Sequence, residues 1–286
     1  MLNTQLLEER EPVCRFDTRE IASRAIPVAL TLAALTLGAS DARSQEEDEH
    51  EHGHGLHFAH PLYTESISPD TKIRANSGRE WETEGDAWEL ELEGEYAFHR
   101  SFSIEVGIPY VILKPTDVSS TSGAGNLEVL FKFANFAFEE QGLLLGYGVQ
   151  FGVPTGDAAK GIGSDHIWEV APVLNLGYKR GAFELVGFTI FGIPFGQESG
   201  EEVETEFTYN GSVLMHASPQ LQLLVELNGN TVLSGEERGT TLVRLSPGVK
   251  VAPSRAVPLF IGVGATLPLT ESELDAGALV SLFYHF

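Results

Sequence analysis

The sequence predicts an all-β fold: a single antiparallel up-and-down transmembrane β-barrel of about twelve strands, preceded by a signal peptide and a disordered His/Glu-rich segment. Three observations predict it. Ala276, Ala278, Val280, Leu282, Tyr284 and Phe286 put an apolar or aromatic residue at every second position up to the carboxyl terminus, with Asp275, Gly277, Ser281 and His285 among those between them. Alternate side chains of a strand point to opposite faces, so this ending has one continuous apolar face and one mixed face. From about Pro69 onward, similar segments of roughly 10–15 residues recur, broken by turn chemistry and without a competing 3.6-residue stripe. Aromatic residues gather near the ends of these segments, as expected at the two interfaces of a membrane.

The leader comes first. Arg24 precedes the apolar run Ala25–Ala39, and Ala42-Arg43-Ser44 offers a small-residue cut before Gln45. A basic flank, a short apolar run and a small-residue cut describe a secretory signal peptide. Residues 1–44 are therefore assigned to an extended amino terminus and signal peptide. Glu8, Glu9, Glu11, Asp17 and Glu20 mix with arginines ahead of the apolar run, which suggests a later translation start. Cys14, the only cysteine, falls in this leader, so the remainder cannot be a disulfide scaffold. Removing the leader takes five Arg and six acids and leaves the net charge, −23 for the whole chain, strongly negative. Such acidity argues against nucleic acid, which wants a basic footprint. It does not argue against a membrane, because a barrel keeps its charges in lumen and loops.

Residues 45–68 read as a His- and acid-rich periplasmic segment. His50, His52, His54, His57 and His60 interleave with carboxylates and glycines, and imidazole suits zinc, copper or nickel. A tight site needs fixed geometry, which a solvated tail does not supply. The expectation is a disordered tail with a divalent metal as an alternative partner, and no resident cofactor.

Residues 69–286 supply the barrel. Strands are expected near 70–77, 87–99, 101–112, 124–137, 142–154, 165–178, 182–194, 203–217, 220–231, 240–252, 256–268 and 275–286. Short turns at 99–100, 139–141, 179–181, 218–219 and 253–255 alternate with longer polar loops at 78–86, 113–123, 155–164, 195–202, 232–239 and 269–274. Outer-membrane barrels have short periplasmic turns and longer outside loops, so both termini are expected in the periplasm. Gly107-Ile-Pro109, Gly152-Val-Pro154 and Gly192-Ile-Pro194 recur at the outer ends of strands. Proline removes a ladder donor and is tolerated at strand ends or bulges, so these are structural punctuation.

The faces follow from parity. Trp88, Leu90, Leu92, Gly94, Tyr96 and Phe98 share one side of the second strand, and Glu89, Glu91, Glu93 and Glu95 the other. A soluble sandwich would show the same alternation with its glutamates in water. Aromatic placement decides for the barrel: Trp88, Tyr110 and Trp168 fall at outer ends, and Tyr96, Phe98, Phe102, Phe136, Phe138, Tyr178, Phe183, Tyr284 and Phe286 at inner ends. The expected pore-lining set is Lys72, Arg74, Glu89, Glu91, Glu93, Glu95, Glu105, Lys132, Glu204, Glu206, Glu226, Arg244 and Lys250, with Glu169 beside them. Lys72 and Arg74 are placed to pair with the glutamate row. Twelve strands leave a narrow, partly obstructed lumen, between side-chain-filled eight-stranded barrels and open sixteen-stranded ones. Gly146, Gly148, Gly152, Gly262 and Gly264 are expected to leave room in it.

The last strand resembles that of Gram-negative outer-membrane barrels, where a terminal Phe belongs to the assembly signal; Tyr284 and Phe286 take that role toward the barrel-assembly machinery. The stretch from His54 through Pro61-Leu62-Tyr63 to Arg74, the tract Gly152-Val-Pro-Thr-Gly-Asp157 and Phe286 are similar to a family of outer-membrane transporters linked to the meta-cleavage pathway of phenol degradation. That resemblance implies a barrel in the cell outer membrane, in contact with its lipid, that passes small aromatic solutes, while the inward glutamate row predicts a weak preference for cations. It carries no catalytic motif. An enzyme would need a nucleophile, base and orienting group together; Ser164, Asp165 and His166 adjoin, but chain neighbours point apart. A non-transporting structural or adhesive barrel, or a metal-handling barrel using its histidines, is the alternative.

Overall fold

A computed structural model describes residues 55–196, 203–272 and 274–286. The leader and the histidines at 50, 52 and 54 lie outside the described residues. Thirteen strands form one antiparallel sheet: β1 (Lys72–Glu82), β2 (Gly85–His99), β3 (Phe102–Pro115), β4 (Thr121–Ala124), β5 (Leu127–Asn135), β6 (Leu143–Val153), β7 (Trp168–Arg180), β8 (Phe183–Phe195), β9 (Glu206–Ser218), β10 (Leu221–Val232), β11 (Thr241–Val251), β12 (Leu259–Pro268) and β13 (Leu274–His285). β4 and β5 pair with successive stretches of β3, so together they form one stave. The wall is thus a closed barrel of twelve staves in up-and-down order. Among the described residues no helix is long and apolar enough to cross a membrane; the strands, mostly 9 to 15 residues, have the length of tilted spanning strands.

Closure runs between the chain's first and last strands. β1 pairs with β13 from Lys72↔His285 to Glu82↔Leu274, and the Phe286 N–H donates to the Thr71 carbonyl at 3.0 Å. This is the junction the alternating ending implied. In β13 the outward residues Val280, Leu282, Tyr284 and Phe286 are 41–65% exposed, while the inward Ser281 and Phe283 are fully buried.

The same inversion holds around the wall. Leu92, Tyr96, Leu174, Val225 and Val263 are exposed, whereas Lys72, Lys132, Lys250, Glu184 and Glu226 are among the most deeply buried side chains. A protein stable in water hides its apolar side chains and solvates its charges; this arrangement is built for lipid outside and polar groups inside. Tyr96, Phe98, Phe102, Phe133 and Tyr147 form a continuous aromatic row on the outer surface near the short-turn end, with successive centroids 4.8–5.6 Å apart. At the opposite end Trp168 stacks on Phe195, and Arg79 lies over Trp81 and Trp88.

Two expectations about connections are corrected. Residues 78–86 are not a loop, because β1 continues to Glu82 and turns within Thr83-Glu84. The run was polar because the strand extends past the bilayer: Glu80 points inward to Arg244, and Arg79 pairs with Asp86 at 2.5 Å. Nor is the alternation of turn lengths strict, since the connections 136–142 and 252–258 at the short-turn end each span several residues.

The larger correction concerns the segment expected to be a disordered tail over 45–68. Its described part, residues 55–68, runs inside the barrel. Phe58, Ile67 and Ser66 are wholly buried, and Leu62 and Thr64 are 1% exposed.

A lipid-facing charge should be costly at mid-strand. Val280→Arg is expected to destabilise the barrel by about 2–4 kcal/mol, read by urea titration in liposomes, while Val280→Leu changes little. Both should keep the mobility difference between boiled and unboiled samples that a folded barrel shows on electrophoresis.

Candidate functional site

The lumen has two parts: a plugged half at the short-turn end and a cavity toward the long-loop end. The plug, residues 55–71, has no regular secondary structure. Irregular backbone at membrane depth is tolerated only where protein buries it and satisfies its polar groups. Inward-facing carboxylates do this here. Glu226 on β10 accepts from the N–H groups of Leu62 (2.8 Å), Tyr63 (3.1 Å) and Thr64 (2.7 Å). Glu184 on β8 accepts from Ala59 N–H at 2.8 Å while bound to Lys179 and His216. Glu95 on β2 accepts from Asp70 N–H, and Ser68 Oγ from Phe58 N–H.

Apolar side chains of the plug sit against glycines of the wall. Phe58 covers Gly177, where an added Cβ would stand 2.8 Å from the ring; Leu62 lies against Gly248, Gly262 and Gly264; Ile67 lies against Gly146. Of the glycines expected to leave open room, Gly146, Gly262 and Gly264 are therefore docking positions. Gly148 is crowded by the Phe131 carbonyl and Gly152 by Glu169.

An ionic network ties the plug to strands β1, β2, β3 and β5. Glu65 of the plug lies 2.7 Å from Lys132 Nζ, 3.5 Å from Lys72 Nζ and 3.8 Å from Arg74 Nη1. Lys72 also meets Glu95 at 2.6 Å and Glu105 at 2.8 Å, and Lys132 meets Glu95 at 3.1 Å. Arg74 pairs with Glu93 at 3.4 Å and donates to the Leu62 carbonyl. Lys250 donates to the His60 carbonyl and stands over the Phe283 ring. In the plug itself, burial pushes the His60 imidazole well below its ordinary value, and the nearby Lys72 charge adds to this. Burial acts to raise the Asp70 carboxyl, but hydrogen bonds from His285, His57 and His60 outweigh it and hold the group well below the usual carboxylate range.

Above the plug lies a cavity of about 620 Å³. Its wall includes eight glutamates (65, 80, 89, 91, 93, 105, 128 and 169) against two arginines, Arg74 and Arg244. Asn76 Nδ2 bridges Glu91 (2.9 Å) and Glu93 (3.1 Å), and Arg244 pairs with Glu80 across the lumen at 2.8 Å. Leu130, Phe188 and Ile190 give the cavity one apolar side.

The sequence-derived lumen set is thus divided. Arg74, Glu89, Glu91, Glu93, Glu105 and Arg244 line the cavity. Lys72, Glu95, Lys132, Glu226 and Lys250 are buried around the plug. Glu206 faces inward at the long-loop rim, accepting from Asn230 Nδ2 at 2.6 Å. Glu204 does not belong to the lumen: it precedes β9 and accepts from the Glu237 N–H of the next loop. Sequence reading did not single out Glu65, Asn76, Glu80 or Glu184 for the lumen. Parity carries Asn76 and Glu184 within the expected strands, and Glu80 once the first strand is extended to Glu82; Glu65 has no periodic signal. Ser164 Oγ accepts from the N–H groups of His166 and Ile167, a turn-stabilising use, and the His166 ring meets Asp165 at 2.6 Å.

With this geometry in place, the chain can be set beside known proteins. A sequence profile for the family described as "Putative MetA-pathway of phenol degradation" matches residues 67–282. The chain belongs to this family. No curated protein sequence matches it. Two of the solved structures that resemble it have TM-scores above 0.5 and share the fold. An outer membrane channel from Pseudomonas putida F1 aligns at 14% identity with a TM-score of 0.54, covering 84% of this chain and all of that one. The NanC porin aligns at 7% identity with a TM-score of 0.54, covering 75% and 98%. Family membership, a closed twelve-stave wall and an apolar exterior place the protein in the outer membrane as a β-barrel.

The seat of the plug can be tested at Glu226. Glu226→Gln turns one acceptor oxygen into an NH₂ donor facing backbone N–H groups, and hydrogen bonds to charged groups contribute about 1.5–3 kcal/mol each. Amide exchange at residues 62–64 should accelerate at least about tenfold, while Glu206→Gln at the rim leaves those amides unchanged.

Proposed function

We propose that the protein is a passive outer-membrane channel for small solutes, with its short-turn end and both termini in the periplasm. The observation that carries this reading is the acidic cavity reaching the long-loop rim at Glu80, Glu89 and Glu169. Charges of one sign in a low-dielectric concavity concentrate counter-ions, so cationic solutes are favoured over anionic ones. The apolar side at Leu130, Phe188 and Ile190 adds room for a ring or alkyl body, which fits a family associated with phenol degradation. The protein acts as a conduit and not as an enzyme, with the Ser164 hydroxyl engaged in its own turn. Tyr284 and Phe286 present the terminal aromatic face to the assembly machinery, and the apolar exterior meets outer-membrane lipid.

Planar-bilayer recording tests this directly. The full chain should show small, cation-selective currents by reversal potential, and deletion of residues 55–68 should raise conductance severalfold. Replacing Glu89, Glu91 and Glu128 together with Gln should move the reversal potential toward zero. Absence of current from both the full and the plug-deleted chain would sink the channel and favour a non-transporting structural barrel.

A further inference from the structure

Three imidazoles converge on one carboxylate at the short-turn end of the lumen. His57 and His60 come from the plug, Asp70 from just before β1, and His285 from the end of β13. His60 Nε2 stands 3.3 Å and His57 Nε2 3.5 Å from Asp70 Oδ2; His285 Nδ1 stands 2.6 Å from the same oxygen. With metal–ligand bonds of about 2.0–2.1 Å, the ligand atoms of a tetrahedral site lie about 3.3–3.4 Å apart. Each plug histidine matches that spacing to Asp70 Oδ2, and the three ligand atoms lie within 4.8 Å of one another. The 2.6 Å contact is too short for two ligands of one ion and is a hydrogen bond. His285 therefore orients the carboxylate from outside, in the way that metal-binding groups are held by outer partners.

We propose that His57 Nε2, His60 Nε2 and Asp70 Oδ2 bind a divalent transition-metal ion of the zinc type, stapling the plug to the start of β1. A second feature points the same way. His60 is 2% exposed, yet among the described residues its Nδ1 finds no hydrogen-bond partner and faces Glu65 Oε1 at 3.9 Å. A metal on Nε2 fixes the imidazole proton on Nδ1, which then has Glu65 ahead of it as acceptor, the usual carboxylate–histidine–metal order. Lys72, whose charge reaches the His60 ring, is neutralised by Glu95 and Glu105, and Lys250 is bonded to the His60 carbonyl. His57 is exposed and Asp70 partly so, and both border a cavity of about 660 Å³ at this end, leaving a path for the ion and for water as fourth ligand. Two imidazoles with one carboxylate suit zinc, copper or nickel better than calcium or magnesium, which take all-oxygen sets.

The test titrates Zn²⁺ calorimetrically into the full chain in detergent and follows Co²⁺ by its visible spectrum. One site with the intense bands of tetrahedral Co²⁺ is expected. His57→Ala and Asp70→Asn should each weaken Zn²⁺ at least tenfold and abolish those bands. The triple change His50→Ala, His52→Ala and His54→Ala should leave both intact. Heat-modifiability on electrophoresis checks that each variant is folded. His57 is exposed, so that variant decides the matter even if Asp70→Asn fails to assemble. Unchanged Zn²⁺ affinity in His57→Ala, or loss of binding in the triple variant, assigns the metal to the upstream histidines and overturns the site.

Discussion

The constraint on which this structure depends is that lipid offers no hydrogen bonds. Every backbone group along the outer surface must be paired within the sheet, so the sheet cannot have an edge. The ladder from Lys72↔His285 to Glu82↔Leu274 removes that edge. Once it forms, the two-residue period of each strand assigns every side chain to lipid or lumen. Apolar residues go outward because the bilayer is apolar. Lys72, Lys132, Glu95 and Glu226 go inward because no other place is left for them. The charged interior is thus a consequence of closure.

An interior of that kind must be either hydrated or filled, and here the two halves take different courses. Taking a charge out of water costs several kcal/mol unless partners replace the water. In the short-turn half the plug supplies them. Its N–H groups meet Glu226 and Glu184, its carbonyls meet Arg74 and Lys250, and Glu65 completes a cluster with Lys72 and Lys132. The wall glycines allow Phe58 and Leu62 to approach closely enough to exclude water. In the other half, glutamates outnumber arginines and the space stays open.

How much of this was legible in the sequence follows from the range of each interaction. Strand count, faces, aromatic belts and the β1–β13 closure rest on a local period of two, and a single sequence displays that period. The inward glutamates of β2 follow from the same parity. The plug does not, because its order comes from partners far away in the chain: Leu62 is 164 residues from Glu226, and Ala59 is 125 from Glu184. A short His-, Gly- and Pro-containing stretch looks like a tail until those partners are known. The hairpin at 78–86 was obscured for another reason. Beyond the bilayer a strand no longer needs an apolar outer face, so Arg79 stands where a hydrophobic residue would have signalled a strand. Glu204 shows the opposite error, a charge at the expected parity but two residues ahead of its strand.

For the proposed channel, the division of the lumen also separates where selectivity would be set from where flow would be limited. Glu65, Arg74, Glu93 and Glu105 belong both to the cavity floor and to the network holding the plug. If the plug leaves, it takes Glu65 with it and bares Lys72, Lys132 and Arg74 opposite Glu93, Glu95 and Glu105, three cations facing three carboxylates at this point of the wall. The long-loop half keeps Glu80, Glu89, Glu91, Glu128 and Glu169 against Arg244 in either state. In the proposed channel an ion would therefore meet the same acidic vestibule whether the far end is closed or open, and charge preference would be fixed before the plug is reached. The plug would then govern passage, through a cluster whose opposed charges cancel at close range and so oppose either sign of solute about equally.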